Sequence, residues 1–333
     1  MKNEPLQVLA IGNAIVDVIS RVEEPFLLAN GLTRGSMRLI DQTEAASLYD
    51  RIGPAIEVSG GSAANTIAGI ASFGGQAGFI GKVRDDQLGS VFAHDLRSIG
   101  VRYDSAPATT GPSTARCLIL VTPDGERTMN TFLGASSYLS AADVREDAVA
   151  NARIVYLEGY LFDRPDAKQA FAKAARVARQ AGRTVALTLS DSFCVDRHRD
   201  DFLSLIRETV DILFANESEI KSLYQVATFD DALQHVRRDC GTAALTRSGA
   251  GSVIVSGEEI HVVEAQKVAK VVDSTGAGDL YAAGFLYGTA IGLPLAHAAR
   301  LGSLAASEII SHVGARPETN LRDLARRQNL LPA

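Results

Sequence analysis

Apolar residues recur along the chain in two rhythms. Short continuous runs at 6–12, 77–81, 153–157, 184–189, 211–214 and 243–246 have the length and β-branched content of buried strands. Between them, 62–73, 87–99, 165–181, 217–224 and 232–239 carry apolar residues at helical spacing. Strand and helix alternating at this interval predict an α/β fold, a mostly parallel sheet flanked by helices on both faces. The helix at 165–181 is the best punctuated, with Asp163 as its expected N-cap, Pro165 in the first turn and Gly182 past the last. The C-terminal third reads as helices at 277–291, 294–311 and 318–328.

Two stretches break the rhythm. Residues 34–41 (RGSMRLID) and 114–133 read as antiparallel strands, the second turning at Pro123-Asp124-Gly125. They predict a small β-sheet lid, formed by segments about 14–45 and 102–134, on a single domain spanning 1–333. Composition fits a soluble globular protein: 46% of residues are hydrophobic and 22% charged. With 33 basic and 39 acidic residues and no basic run, the chain is not expected to bind nucleic acid. Cys117, Cys194 and Cys240 are too scattered for a metal cluster or disulfide framework, which predicts a cytoplasmic setting. The apolar stretch 280–293 is too short to span a bilayer, so no membrane partner is expected.

Candidate chemistry gathers in four places. In Asp273-Ser-Thr275-Gly276-Ala277-Gly278-Asp279 the residues at 276–278 open a helix, where backbone N–H groups lack intrahelical acceptors and attract anions. Asp279 beside such an anion suits a general base rather than a phosphate ligand. The same pattern equally describes a helix start with a capping acid. Gly60-Gly61-Ser62-Ala-Ala-Asn65 and Gly12-Asn13…Asp17 stand where open α/β sheets bind ligands, and both also read as turns with surface polar groups. Asn216 and Glu219 form either a capping box or a site acting on hydrated Mg²⁺. Thr246, Gly249 and Gly251 follow a strand and could wrap a nucleotide. The P-loop and the dinucleotide fingerprint are both absent.

Taken in order, these pieces resemble the ribokinase-like (PfkB) carbohydrate kinase family. The resemblance rests on residues 60–89 (GGSAANTIAGIASFGGQAGFIGKVRDDQLG), on NESE at 216–219 and on DSTGAGDLYAAGFLYG at 273–288. It implies Asp279 as base and Gly276, Ala277 and Gly278 as the anion hole for the γ-phosphoryl group of ATP. Asn216 and Glu219 are then expected to organise Mg²⁺ and phosphates, with Thr246, Gly249, Gly251 and Thr275 on the nucleotide. Asn13, Asp17, Gly60, Gly61 and Asn65 are expected to hold the sugar. Many members bind a monovalent cation, potassium among them, and Asp273, Thr275 and residues 311–316 match that region. Residues 12–17, 211–219 and 123–136 look closer to adenosine kinases than to ribokinases or fructokinases. In that branch Arg127 would reach the transferring phosphate from the lid, and Phe132, Leu133 and Phe162 would lie near a base. The polar segment 188–199 matches no purine pocket. The resemblance implies a small-molecule partner, nucleoside or free sugar, and a monomer or a homodimer formed through the lid. A non-catalytic ligand sensor on the same fold is the competing class, and an intact Asp279 argues against it.

Overall fold

The computed structural model describes residues 5–332, so the first four residues and the last of the expected domain lie outside it. The main sheet comprises β1 (Leu6–Ile11), β5 (Ala77–Ile80), β8 (Ala152–Glu158), β9 (Thr184–Thr188), β10 (Ile212–Asn216), β11 (Thr242–Thr246), β12 (Ser252–Ser256) and β13 (Glu259–Val263). Their order is β13-β12-β11-β10-β9-β8-β1-β5, parallel from β5 to β11, with β12 and β13 antiparallel at one edge. Strand pleating sends alternate side chains to opposite faces, and both faces are covered. Val8 and Ala10 of β1 join one apolar core, Leu9 and Ile11 the other.

On the first face lie α3 (Ser62–Ser72), α10 (Ala277–Ala290), α11 (Leu295–Ile309) and α12 (Leu321–Arg327). The second face carries α5 (Glu146–Ala150), α6 (Pro165–Gln180), α7 (Ser192–Glu208), α8 (Glu217–Tyr224) and α9 (Phe229–Asp239). This is the expected mixed α/β architecture. Asp163 does not cap α6: the N-cap is Arg164 without a side-chain bond, and Asp163 instead accepts from Arg197 and His198.

A second sheet contains β2 (Ile15–Arg21), β3 (Met37–Leu39), β4 (Ala55–Gly60), β6 (Ala115–Val121) and β7 (Arg127–Phe132), ordered β3-β7-β6-β2-β4. The β6–β7 pair is the antiparallel hairpin that the Pro-Asp-Gly turn predicts. The short β3 differs from expectation, pairing parallel to β7 after a crossover through α1 (Glu24–Ala29). The apolar run from Val8 onward is two strands in two sheets, since the chain leaves β1 at Gly12 and enters β2 at Ile15. β4 joins the small sheet from outside both expected segments. Val16, Val18, Leu118 and Leu120 face the core, where α2 (Gln42–Tyr49) and α4 (Gln87–Ser98) also contribute. The opposite face carries Asp17, which pairs across to Val58 and Cys117, and Arg127, which pairs to Val121. No helix among the described residues is long and apolar enough to cross a membrane.

Candidate active site

The centre is built by α3 crossing α10 at close range. A Cβ on Gly69 would sit 2.6 Å from Ala283 Cβ and 2.7 Å from Leu280 Cδ1, so only glycine permits the approach. The crossing sets the first turns of both helices side by side. Ser62 Oγ donates to Asp279 Oδ1 (2.6 Å), Asn65 Nδ2 donates to Oδ2 (3.0 Å), and Thr66 Oγ1 donates to the Asp279 carbonyl (3.1 Å). The other amide atom of Asn65, Oδ1, is buried without a donor. Burial raises the pKa of Asp279, while the Ser62 and Asn65 bonds and the nearby Arg316 charge pull it back.

The start of α10 has no side-chain cap. Gly276 occupies it at φ 77° and ψ 0°, a left-handed conformation that favours glycine, with space for a Cβ only 3.0 Å from that of Ala315. Among the described residues, the N–H groups of Gly276, Gly278 and Asp279 have no acceptor. Ala277 differs: its N–H donates to Ser274 O at 3.2 Å, so Asp279 replaces Ala277 among the open donors of the expected 276–278 set. Space around Gly278 is open.

Across this corner stands Asp17 of β2. Its carboxylate lies against the backbone of Gly60, where a Cβ would come within 2.4 Å of Oδ2. Gly61, at φ 97°, leaves no room for a Cβ beside Asn13 O (2.3 Å). Burial pushes Asp17 up to about 6, with Arg316 and Arg127 opposing and Asp279 adding to the rise. Arg316 is locked from above β4: it donates to Ser59 O (2.9 Å), Ala64 O (2.5 Å) and Ser59 Oγ (3.1 Å). Desolvation brings it down to about 10.

Asn13 is placed behind this site. Its amide donates to Glu158 Oε1 (2.7 Å) and accepts from Ser136 Oγ (2.9 Å), so each end already has a protein partner. Glu158, 1% exposed at the carboxyl end of β8, also accepts from the N–H of Ala63 (2.8 Å). Burial drives its pKa up to about 7. Sequence reasoning passed over Ser62, Thr66 and Glu158, and it reached Arg316 only as the end of a loop. Glu158 had a readable signal, an acidic residue directly after an apolar strand run, where parallel sheets place ligand-facing groups.

Arg127 reaches the entrance of α10 from β7. Its Nη1 lies 2.7 Å from Asp273 Oδ2 and 2.9 Å from Thr275 Oγ1, while Nη2 is buried without an acceptor. Asn216 and Glu219 form the capping box of α8: Asn216 N and Nδ2 donate to Glu219 Oε2 and Oε1 (2.9 and 2.5 Å), and Asn216 Oδ1 accepts from Glu219 N (2.9 Å). Burial raises Glu219 to about 7. Asn216 and Thr246 are direct partners at the carboxyl ends of β10 and β11, with Gly249 exposed in the turn beyond. Gly251 (φ 84°) has a structural demand of its own, because a Cβ there would meet Val263 O at 2.1 Å. Among the described residues no group of three or more His, Cys, Asp or Glu is placed to hold a metal.

One expectation about a base is corrected, and the polar segment is explained. Phe162 belongs to the second core, stacked on Phe202 at 4.3 Å and packed on Phe171, so its ring is spent on core packing. The polar segment 188–199 is the capped start of α7: Asp191 accepts from Cys194 N (2.6 Å), and the charges that follow pair with Asp163. A groove of about 540 Å³ lined by Arg84, His94, Arg97 and Tyr103 contains none of the candidate residues.

Comparison with known proteins points one way. The family model described as pfkB family carbohydrate kinase matches residues 37–321. The chain is similar to the solved adenosine kinase from Sinorhizobium meliloti, with 52% identity and a TM-score of 0.90, covering 97% of this chain and 99% of that one. It is comparably similar to a probable sugar kinase from Rhizobium etli CFN 42, at 50% identity and a TM-score of 0.91, covering 98% and 100%. Among curated relatives, an ATP-dependent ribose-1-phosphate kinase from Halopiger xanaduensis is 32% identical over 233 residues, 68% of this chain and 72% of its own.

Proposed function

Because the chain belongs to the pfkB family of carbohydrate kinases, phosphotransferases with an alcohol acceptor, we propose that it transfers the γ-phosphoryl group of ATP to the hydroxymethyl group of an adenosine-like nucleoside. The observation that carries this reading is Asp279, aimed by Ser62 and Asn65 beside the uncapped start of α10. In the reaction the acceptor's O–H proton passes to Asp279, and the oxygen bonds to the γ-phosphorus. The bond from that phosphorus to the β–γ bridging oxygen breaks, and ADP leaves. The open N–H groups of Gly276, Gly278 and Asp279 take the charge of the moving phosphoryl group.

Two acceptors suit the sugar's ring hydroxyls: the Asp17 carboxylate and the donorless Oδ1 of Asn65. Arg127 Nη2 is also without a partner and suits a phosphoryl oxygen, whose geometry its planar fork matches. Mg²⁺ enters with ATP as part of the substrate. Glu219, both of whose oxygens are held by Asn216, acts on that ion through water. The nucleoside assignment draws on the strong similarity to the Sinorhizobium adenosine kinase and on the apolar neighbours of Asp17 on its sheet face, Val58, Cys117 and Ile19, which suit a flat base.

An ATP-consumption screen over adenosine, other nucleosides, ribose, fructose and keto-deoxy sugars tests the proposal. Adenosine is expected to give the highest kcat/KM. Turnover of a free sugar with none on adenosine overturns the nucleoside assignment and leaves the phosphotransfer machinery intact.

A further inference from the structure

Potassium at Asp273 is what the family resemblance leads one to expect, and the residues there do not fit it. Asp273 is 9% exposed in its side chain, and both carboxylate oxygens are taken. Oδ1 accepts from Thr275 N (3.0 Å) and Thr275 Oγ1 (2.7 Å), and Oδ2 accepts from Gly314 N (3.0 Å). The fourth partner is the Arg127 guanidinium at 2.7 Å, its side chain only 11% exposed. A cation seated on this carboxylate would lie against a buried like charge, where screening by water is weakest.

We propose that Arg127 takes the place of a monovalent cation in this chain, as a covalently tethered positive charge. The three residues that donate to Asp273 serve separate parts of the fold. Thr275 leads into α10, Gly314 belongs to the loop that also carries Arg316, and Arg127 belongs to the small sheet. A positive charge at this junction neutralises Asp273 and pins both loops that shape the anion site. Supplied by β7, it makes the order of that site depend on the small sheet and not on the salt. Arg127 is thus a positioning residue for the start of α10 as well as a candidate phosphate contact. The inference concerns the chain's own stability and holds whichever alcohol the enzyme phosphorylates.

The test is thermal unfolding without substrates, in potassium chloride against tetramethylammonium chloride at equal ionic strength. The wild-type Tm is expected to be the same in both salts. Arg127→Gln keeps most of the side chain and removes the charge, and should gain about 2–4 °C from potassium, the shift expected of a modest ligand-linked stabilisation at this chain length. Should Arg127→Gln fail to fold, Arg127→Lys serves in reverse: it keeps a charge within reach of Asp273 and should stay indifferent to potassium. A wild-type Tm that rises in potassium overturns the proposal, as does an Arg127→Gln variant that ignores it. Because no acceptor substrate is involved, failure here is separable from failure of the nucleoside screen.

Discussion

Two helices begin near the carboxyl ends of the main sheet's strands, and they treat their first turns in opposite ways. α8 closes its own terminus: Asn216 and Glu219 exchange three hydrogen bonds, so each of their side-chain oxygens already has a partner. α10 has a glycine where the cap should be and leaves the N–H groups of Gly276, Gly278 and Asp279 open among the described residues. A terminus capped by its own residues adds stability, whereas an uncapped one keeps its partial positive charge for a ligand. On the proposed reading, a carboxylate in a first turn closes its own helix in α8, with any reach to Mg²⁺ only through water, and in α10 stands beside an open anion site.

The sharpest way to break the contrast is to change each carboxylate. Asp279→Asn keeps the shape and the Ser62 and Asn65 neighbours but removes the base; kcat is expected to fall by about 10²–10⁴-fold, with nucleotide affinity largely retained. Nearly unchanged turnover would remove Asp279 from the mechanism. Next in size is the pair of glycines. Gly278→Ala adds a methyl group to open space, so Tm should hold while kcat/KM for ATP drops, by less than the roughly 10²–10³-fold that loss of one anion donor brings. Gly276→Ala instead places a side chain at φ 77° against Ala315, and Tm should fall as well, on the order of 1–2 kcal/mol of strain. Equal Tm losses for the two variants would show that the start of α10 is not open in the way described.

The pH dependence separates activity from stability. Asp17, pushed up to about 6, must be ionised to accept sugar hydroxyls, so kcat/KM should fall as pH drops through about 6, well above the ordinary carboxylate range. Stability runs the other way. A carboxyl whose folded pKa is raised contributes its stability fully below its unfolded value and loses it as pH rises through the folded one. For Asp17 that loss spans pH 3.8 to about 6, and for Glu158 it spans 4.5 to about 7. Tm should therefore decline from mildly acid to neutral pH while activity climbs. An acid limb at the ordinary carboxylate value would mean that Asp17 is hydrated and plays no such part.

Much of this was legible in the chain. Apolar periodicity marks six of the eight main-sheet strands, since buried parallel strands are continuous apolar runs. The two main-sheet strands not read are the antiparallel edge pair β12 and β13; in the small sheet β2 is fused to the run of β1 and β4 lies outside the expected segments, whereas β3 falls inside the expected 34–41 strand. Asp279, Asn65, Asp17 and the glycines could be singled out as candidates from the chain, because tight turns and helix starts restrict residue type locally. Arg316 and Glu158 escaped because their roles arise from contacts between distant segments, Arg316 with Ser59 and Glu158 with Asn13 and Ala63. Asn13 shows the converse. Its position beside a glycine at a strand end marks it as a ligand contact, yet a buried glutamate 145 residues away takes its amide.

The smallest expected effect concerns α8 and decides what Glu219 is for. Asn216→Ala deletes the cap and should cost about 0.5–2 kcal/mol, because the first-turn N–H of Glu219 loses its acceptor. Glu219→Gln is subtler: the amide can still accept from Asn216 N, but its NH₂ then meets the Nδ2 of Asn216, donor against donor, so some stability is lost here too. If the capping box is the whole of its role, the Mg²⁺ titration of activity should be the same in Glu219→Gln and wild type once the stability difference is allowed for. An increased Mg²⁺ requirement in Glu219→Gln but not in Asn216→Ala assigns the carboxylate's charge a second task. The self-closed helix would then, like its open neighbour, act on the phosphates, but through water.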